Sequence, residues 1–256
     1  MIKFEKIGAV GKIILNRPDK YNSFVRTMAL ELQKKLDECS NDQTIRCLLI
    51  TGSGKAFCAG QDLKEAIDPT GPGIGEIVRE HYNPTIRKIR GINKPVIAAV
   101  NGVAAGAGAN IALACDIVVA AKSASFVQAF SKIGLIPDSG GTYFLPRLIG
   151  LPQATALMMT GEAISAEKAV TLGMIYAVYE DSEFTTSYMK LADTIAAMPT
   201  KGLGYTKQLL SQTYNNSLDE QLNLEAKIQA LSANSEDHKE GIQAFLEKRT
   251  PQFTGK

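Results

Sequence analysis

Short apolar runs alternate with stretches of helical periodicity through the first 120 residues, and this alternation constrains the fold more than any other feature. Residues 45–51 and 95–100 are β-branched or small apolar runs that are too short for a helix. The predicted strands are 2–7, 12–16, 45–51, 95–100 and 116–120, and the predicted helices between them are 27–39, 77–92 and 108–114. Strands that alternate with helices predict an α/β fold in which helices cover a sheet.

The chain becomes mainly helical after Gly150. Helical patterns cover residues 153–159, 166–172, 184–197, 205–215, 219–232 and 240–248. No linker-like run of Ser, Pro and Gly precedes this part, so we expect it to pack on the α/β part or on a neighbouring subunit.

Charge and apolar length argue against a membrane protein and against a protein that binds nucleic acid. Residues 95–115 are uncharged and about as long as a bilayer span, but the Asn101-Gly102 turn signal and Asn110 interrupt them. With 28 Lys and Arg against 26 Asp and Glu, the net charge of +2 is too even for binding that depends mainly on charge. We therefore expect no membrane and no nucleic-acid partner.

The cysteines and the first residues bear on the compartment. Four cysteines occur, none of them in a CxxC pair, at Cys39, Cys47, Cys58 and Cys115. Residues 1–5 do not resemble a leader with a charged and then an apolar part. We expect reduced thiols, a cytoplasmic protein and no metal cluster.

Only two histidines are present, and their number limits the chemistry that the chain can perform. A His-based triad, a His-rich zinc site or an HExxH helix has almost no material here. His81 and His238 both lie in charged runs, which predict solvated helix faces. Acid–base catalysis is therefore expected from carboxylates, backbone groups or water.

Two loops rich in small residues each precede a predicted helix. Residues 106–111 begin like a dinucleotide fingerprint, but Ile111 replaces its third glycine, which disfavours a nicotinamide site. Such a turn offers unpaired N–H groups to a ligand, and close packing of a helix on a strand explains it equally well. If the loop 56–63 leaves the same sheet edge, the two loops can aim N–H groups at one developing oxyanion. Cys58 has no accompanying base and fits a small buried thiol better than a nucleophile.

Asp138 is a single carboxylate among apolar residues and glycines in the segment 134–142. One interpretation is a helix N-cap, because Asp before Ser-Gly-Gly caps well. The other is a general base, whose pKa would rise if Phe130, Ile136 and Pro137 kept water away from it. The residues alone leave both interpretations open.

Four segments in this order carry a resemblance to a known family: LNRP at 15–18, AFCAGQDL at 56–63, NGVAAGAG at 101–108 and GLIPDSGGT at 134–142. They resemble the enoyl-CoA hydratase/isomerase (crotonase) superfamily, essentially from end to end. Residues 129–138 and 248–256 are most similar to its bacterial ring-epoxide isomerases of phenylacetate breakdown. The resemblance implies a crotonase-like spiral of ββα units over 1–195. It also implies a helical region over 196–256 that makes the contacts of a homotrimer or a dimer of trimers.

The resemblance also assigns roles to residues. It implies an oxyanion hole formed by the backbone N–H groups of Gln61 and Ala107, with Asp138 as acid/base. Hydratases of the family use two glutamates on water, and Asn110 and Phe130 occupy the corresponding positions, where neither can shuttle a proton. The implied substrate contacts are Ala59, Gly60, Asp62, Leu63, Gly108, Asn110, Phe130 and Pro137. Three lysines are candidate partners of the CoA phosphates, or else plain surface charges: Lys20, Lys64 and Lys248.

The implied activity is an acyl-CoA isomerase. It would move a double bond from 3-enoyl-CoA to 2-enoyl-CoA, convert ring-1,2-epoxyphenylacetyl-CoA to oxepin-CoA, or do both. No metal or separate cofactor is expected, because coenzyme A is part of the substrate. An enoyl-CoA hydratase and a catalytically inactive binding protein are the alternatives, and an Asp138 in an apolar segment favours the enzyme.

Overall fold

The computed structural model describes residues 1–256 and consists of two sheets and a set of covering helices. The strands are β1 (Ile2–Ile7), β2 (Val10–Leu15), β3 (Cys47–Gly52), β4 (Ala56–Cys58), β5 (Val96–Val100), β6 (Val103–Ala105), β7 (Ile117–Ala121), β8 (Ser125–Val127), β9 (Ala163–Ser165) and β10 (Ala177–Tyr179). The helices are α1 (Arg26–Asn41), α2 (Leu63–Ala66), α3 (Ile74–Ile77), α4 (Asn83–Gly91), α5 (Ala107–Leu113), α6 (Gly141–Ile149), α7 (Leu151–Thr160), α8 (Ala166–Thr171), α9 (Phe184–Ala197), α10 (Thr200–Gln212), α11 (Leu218–Ala233) and α12 (Glu236–Glu247).

The larger sheet has six strands in the order β1-β2-β3-β5-β7-β10. A hairpin joins β1 to β2 in antiparallel register, and every other pair in this sheet is parallel. The central strands β3 and β5 are apolar and almost wholly buried, as expected for parallel strands covered by helices. Helix α9 packs on β2, β3 and β7, and α5 packs on β5. The predicted α/β class is confirmed.

The smaller sheet runs β4-β6-β8-β9, and its first three strands are parallel neighbours. Each of these three follows directly on a central strand of the larger sheet: β4 on β3, β6 on β5 and β8 on β7. A helix then returns the chain to the next pair of strands. This repeated two-strands-then-helix path is the ββα spiral that the sequence predicted.

The helical C-terminal third packs on the α/β part. The guanidinium of Arg46, just before β3, donates hydrogen bonds to the carbonyls of Met198 and Phe253, both 2.6 Å away, and to Thr200 Oγ1 at 2.8 Å. The Asp237 carboxylate accepts from the backbone N–H groups of residues 254 and 255. These bonds tie α10, α12 and the last residues to the central sheet. No helix is both long enough and apolar enough to cross a bilayer.

The segment predicted as one helix over 77–92 contains a π-helical turn, Val78–Tyr82, between α3 and α4. The prediction that His81 faces solvent is wrong, because its side chain is fully buried. A π turn inserts an extra residue into the helical repeat, and here it turns His81 and Tyr82 inward. Neither ring nitrogen of His81 has a hydrogen-bond partner, and burial lowers its pKa. His238 is exposed, as predicted.

All four cysteines are free and buried. Burial raises the pKa of Cys58 to about 12, so this thiol is protonated at neutral pH. Cys58 is therefore a packing residue, as the sequence favoured.

Candidate active site

Three neighbouring parallel strands of the smaller sheet each lead into one of the predicted functional groups. Gln61 follows β4, Ala107 directly follows β6 and its glycine turn, and Asp138 follows β8 after a 3-10 turn over Ala129–Ile133. Parallel strands end at the same edge of a sheet, where ligands of such folds bind. The sequence predicted a shared site if the loops after β4 and β6 left the same edge of a sheet, and they do.

The backbone around Gln61 is held against Phe24. The Phe24 N–H donates to the Gly60 carbonyl at 2.7 Å, and the Asp62 N–H donates to the Phe24 carbonyl at 2.8 Å. Backbone groups of successive residues in an extended segment point to opposite sides, so the Gln61 N–H points away from Phe24. It donates to no protein atom. The first N–H is therefore both fixed and available.

The second N–H belongs to Ala107, the first residue of α5. A helix leaves its first N–H groups without internal partners, and this one has no acceptor elsewhere in the protein. Gly106 precedes it at a φ of 52°, and a Cβ there would lie 3.6 Å from the Phe130 ring. Gly60, at a φ of 89°, passes so close that its Cβ would lie 3.5 Å from the Ala107 nitrogen. The two glycines let the two loops approach each other.

An ion pair between Arg17 and Asp62 anchors the loop 56–63 that carries Gln61. Arg17 Nη2 lies 2.7 Å from Asp62 Oδ2, and the Asp62 carboxylate also caps α2 through the Lys64 N–H. Burial alone would raise the pKa of Asp62, but the Arg17 guanidinium and the Lys64 N–H together lower it. Asp62 was predicted to contact substrate. Its carboxylate is instead occupied within the protein, which suits it to support the loop.

The carboxyl group of Asp138 does not cap α6. The N-cap residue of that helix is Gly140, and Asp138 Oδ1 accepts a hydrogen bond from the Ser139 hydroxyl at 2.8 Å. Burial raises the pKa of Asp138, and the Ser139 hydroxyl offsets part of that rise. The prediction that Ile136 helps to keep water away from Asp138 is wrong, since Ile136 is 82% exposed. Of the two interpretations that the sequence left open, the geometry disfavours the cap and suits a base.

Asn110 is fully buried, and both the nitrogen and the oxygen of its amide form a hydrogen bond within the protein. Its Nδ2 donates to the Asp138 carbonyl at 2.8 Å, and its Oδ1 accepts from Gln128 Nε2 at 2.7 Å. Gly108 is also buried, with the Cys58 carbonyl 2.3 Å from where its Cβ would lie. A ligand has no side-chain surface to touch at either position. Both residues support the surrounding backbone, and the substrate contacts predicted at Asn110 and Gly108 stay predictions.

Tyr82, which was not among the predicted site residues, is brought by the π turn to the side chain of Gln61. The Tyr82 hydroxyl donates to Gln61 Oε1 at 2.7 Å, and Gln61 Nε2 donates to Glu65 Oε2 at 2.6 Å. Burial raises the pKa of Tyr82 well above its ordinary value, and the nearby carboxylates of Asp138 and Glu65 add smaller contributions in the same direction. No regular helical period places Tyr82 inward, so its role could not be predicted from a local pattern.

Comparison with known proteins places this site in a family. Residues 5–256 match the enoyl-CoA hydratase/isomerase family. The chain belongs to that family. It is 51% identical over 247 residues to the 1,2-epoxyphenylacetyl-CoA isomerase of Escherichia coli K12, covering 95% of this chain and 94% of that protein.

Two further relatives show the range of the family around this chain. The trans-2-decenoyl-acyl-carrier-protein isomerase of Streptococcus mutans is 36% identical, with coverage of 96% of this chain and 95% of that protein. The crystal structure of an enoyl-CoA hydratase from Bacillus anthracis superposes with a TM-score of 0.93 at 35% identity, covering 100% and 99% of the two chains. The chain is therefore an enzyme of a family that acts on CoA thioesters, and its relatives include isomerases and hydratases.

The remaining predicted substrate contacts differ in exposure. Ala59 and Leu63 are exposed on either side of Gln61, Gly60 is buried, and Pro137 is half-buried next to Asp138. Phe130 is 7% exposed and packs against the turn before Ala107. The three lysines predicted near the CoA phosphates are exposed and form no ion pair: Lys20, Lys64 and Lys248. Their role stays a prediction.

Proposed function

We propose that this enzyme is an acyl-CoA isomerase that moves a double bond from 3-enoyl-CoA to 2-enoyl-CoA. The observation that carries the proposal is a desolvated carboxyl group at Asp138, at the same sheet edge as the unpaired N–H groups of Gln61 and Ala107. A proton shift next to a thioester needs one base and a site for negative charge on oxygen. These three groups supply both.

The proposed reaction has two proton transfers and no net change in atoms. The thioester oxygen binds between the N–H groups of Gln61 and Ala107, which lowers the pKa of the C2–H bond. Asp138 takes the C2 proton, and the electron pair spreads over C2, C4 and the oxygen as a dienolate. The Asp138 carboxyl group then delivers that proton to C4, which leaves the double bond between C2 and C3. The raised pKa of Asp138 suits both directions of transfer.

Hydration is the weaker alternative. Adding water across a double bond needs groups that position the water and move its protons, and the two implied positions are Asn110 and Phe130. The Asn110 amide is already bound to the Asp138 carbonyl and to Gln128, and Phe130 offers only a ring. Glu65 and Asp62 are likewise engaged, by Gln61 and Arg17.

A ring epoxide is a second candidate substrate. The relative that is 51% identical is a 1,2-epoxyphenylacetyl-CoA isomerase, and the likeness extends over 95% of this chain. The same pair of N–H groups would polarise the thioester of such a substrate. We propose conversion of ring-1,2-epoxyphenylacetyl-CoA to oxepin-CoA as an activity of the same site.

The first prediction tests the base. Purified protein should convert 3-hexenoyl-CoA to 2-hexenoyl-CoA, measured by the absorbance of the conjugated thioester, and should hydrate crotonyl-CoA far more slowly. Asp138→Asn should lower kcat by about a hundredfold to ten-thousandfold, because an amide cannot accept the proton. CoA-ester binding should change little, since Gln61 and Ala107 are untouched.

Asp219→Asn is the matched control, because it makes the same change on an exposed helix. Hydration as fast as isomerisation would contradict the proposal, and so would an Asp138→Asn variant that keeps most of its turnover. A wild-type protein that binds CoA esters but turns none over would identify the inactive binding protein instead.

A further inference from the structure

The Asn110 amide links the helix that carries the second N–H donor to the loop that carries the base. Asn110 lies on α5, three residues after Ala107, and its Nδ2 donates to the backbone carbonyl of Asp138 at 2.8 Å. That carbonyl also accepts the Gly141 N–H at 2.8 Å, at the start of α6. The backbone carbonyl of Asp138 is thus held by two donors, one from α5 and one from the start of α6.

The orientation of this amide is fixed by its partners. The Asp138 carbonyl can only accept, so the amide nitrogen must face it, and Asn110 Oδ1 must then receive a donor. Gln128 provides it, with Nε2 at 2.7 Å, and is itself 3% exposed. The hydrogen bonds therefore have one donor-to-acceptor direction, from Gln128 to Asn110 and from Asn110 to the Asp138 carbonyl.

Two features of this network are unfavourable for stability alone. Gln128 Oε1 is buried and has no hydrogen-bond partner, which costs free energy in a folded protein. Residue 141 must be glycine, because a Cβ there would lie 2.4 Å from Asn110 Nδ2. An apolar pair at 110 and 128 would leave no polar atom unpaired. A network that costs stability and ends on the backbone of the candidate base suggests a role in placing that base.

We infer that Asn110 and Gln128 are positioning residues that set the place and the hydration of the Asp138 carboxyl group, through its own backbone carbonyl. This inference rests on the proposed function of Asp138 and deepens it. It also gives the position of a hydratase glutamate a different task, since the Asn110 side chain holds the loop of the proposed base.

The test compares Asn110→Ala with Asn101→Ala. Asn101 is the matched control, because its amide also pins backbone, accepting from the Gly52 N–H and donating to the Gly54 carbonyl, but makes no bond to the Asp138 loop. Both variants should melt at lower temperature. Only Asn110→Ala should lower kcat, by about tenfold to a hundredfold, the loss that a misplaced catalytic group causes. Its KM should stay within about twofold, since the thioester donors are backbone groups of other residues.

The pH profile separates positioning from a merely structural role. Without the Asn110 bond the loop should loosen and admit water to Asp138, so its pKa should fall and the acid limb of kcat/KM should move to lower pH. The double variant Asn110→Leu with Gln128→Leu should melt no lower than wild type and should still lose kcat. An Asn110→Ala variant with unchanged kcat and pH profile would overturn the inference, as would a double variant with wild-type turnover.

A readout without turnover keeps this inference separate from the proposed function. In protein labelled with ¹³C at aspartate carboxyl carbons, the resonance missing from Asp138→Asn identifies Asp138. Its titration should give a lower pKa in Asn110→Ala than in wild type or Asn101→Ala. If wild type fails to isomerise 3-hexenoyl-CoA, the proposed function fails, and this titration still decides whether Asn110 sets the environment of Asp138. An unchanged titration would refute the inference.

Discussion

Asp138 must be ionised to accept a proton, yet its surroundings disfavour the ionised form. Its carboxylate has the Ser139 hydroxyl as its one side-chain partner, and burial raises its pKa. The ionised form of this proposed base therefore costs the folded state some stability. A residue whose function opposes stability can be distinguished from a helix cap, because removal of a cap destabilises the protein.

The second prediction follows from the sign of this shift. The native pKa of Asp138 lies above the unfolded value near 3.8, so its contribution to stability is largest below that value and is lost as pH rises through the native pKa. Asp138→Asn removes the ionised form and should raise the melting temperature at pH 7 relative to wild type. The difference should shrink towards pH 4. Thermal melts at both pH values measure it, and a lower melting temperature of the variant at pH 7 would contradict it.

At the scale of elements, the π turn at Val78–Tyr82 places two polar aromatic side chains inside the fold. His81 is the less well satisfied of the two, since neither ring nitrogen has a partner. Its neighbours include Glu65, Glu80 and Arg26, but burial is the largest influence on its pKa and lowers it. The imidazole is therefore neutral in the native protein at neutral pH.

The third prediction is that His81 makes the protein sensitive to mild acid. Its native pKa lies below the unfolded value near 6.5, so the unfolded chain takes up a proton first and stability falls as pH drops below 6.5. His81→Leu should flatten the fall in unfolding free energy between pH 7 and pH 5, measured by urea denaturation. His238→Leu should keep the wild-type slope, because His238 is exposed. Equal slopes for wild type and His81→Leu would contradict the prediction.

The helices and strands that could be predicted from the sequence are those long enough to show a recognisable hydrophobic pattern. The five- and six-residue strands β3, β5 and β7 are continuous apolar runs, and the long helices carry the 3.6-residue period. The strands of the smaller sheet have three residues each, too few to show alternation, and the π turn follows no regular helical period. Gln61 and Ala107 were predicted through their small neighbours and the family resemblance. The roles of Asn110 and Tyr82 depend on contacts between distant elements, which local patterns do not contain.

At the scale of the whole molecule, the C-terminal helices expose more apolar surface than a monomer needs. Leu218 and Leu222, one turn apart on α11, are 73% and 52% exposed, and Phe245 and Leu246 on α12 are 83% and 70% exposed. The α12 residues border a cleft of about 490 Å³ that Pro199 and Phe253 also line. Contiguous exposed apolar residues of this kind are typical of subunit contacts.

The fourth prediction is that the enzyme is a trimer or a dimer of trimers through these helices. Light scattering during size-exclusion chromatography should give three or six times the chain mass of 27.5 kDa. Phe245→Asp should shift the mass towards the monomer, because it places a charge in a surface that association would bury. Lys227→Glu, a charge change on α11, should not. A monomeric wild-type protein would contradict the prediction.

The spiral of ββα units also suggests how proteins with this fold can come to catalyse different reactions. Successive turns of the chain each supply one of the proposed groups, Gln61, Ala107 and Asp138, from the connections that follow neighbouring strands of the smaller sheet. A substitution in one loop can therefore change which proton is moved without repacking the sheet that supports the other two. Relatives with different reactions would then be expected to differ at the loop ends and to agree in the strands. The connections that follow the strands would then determine the reaction, and the sheet would hold those connections in fixed relative positions.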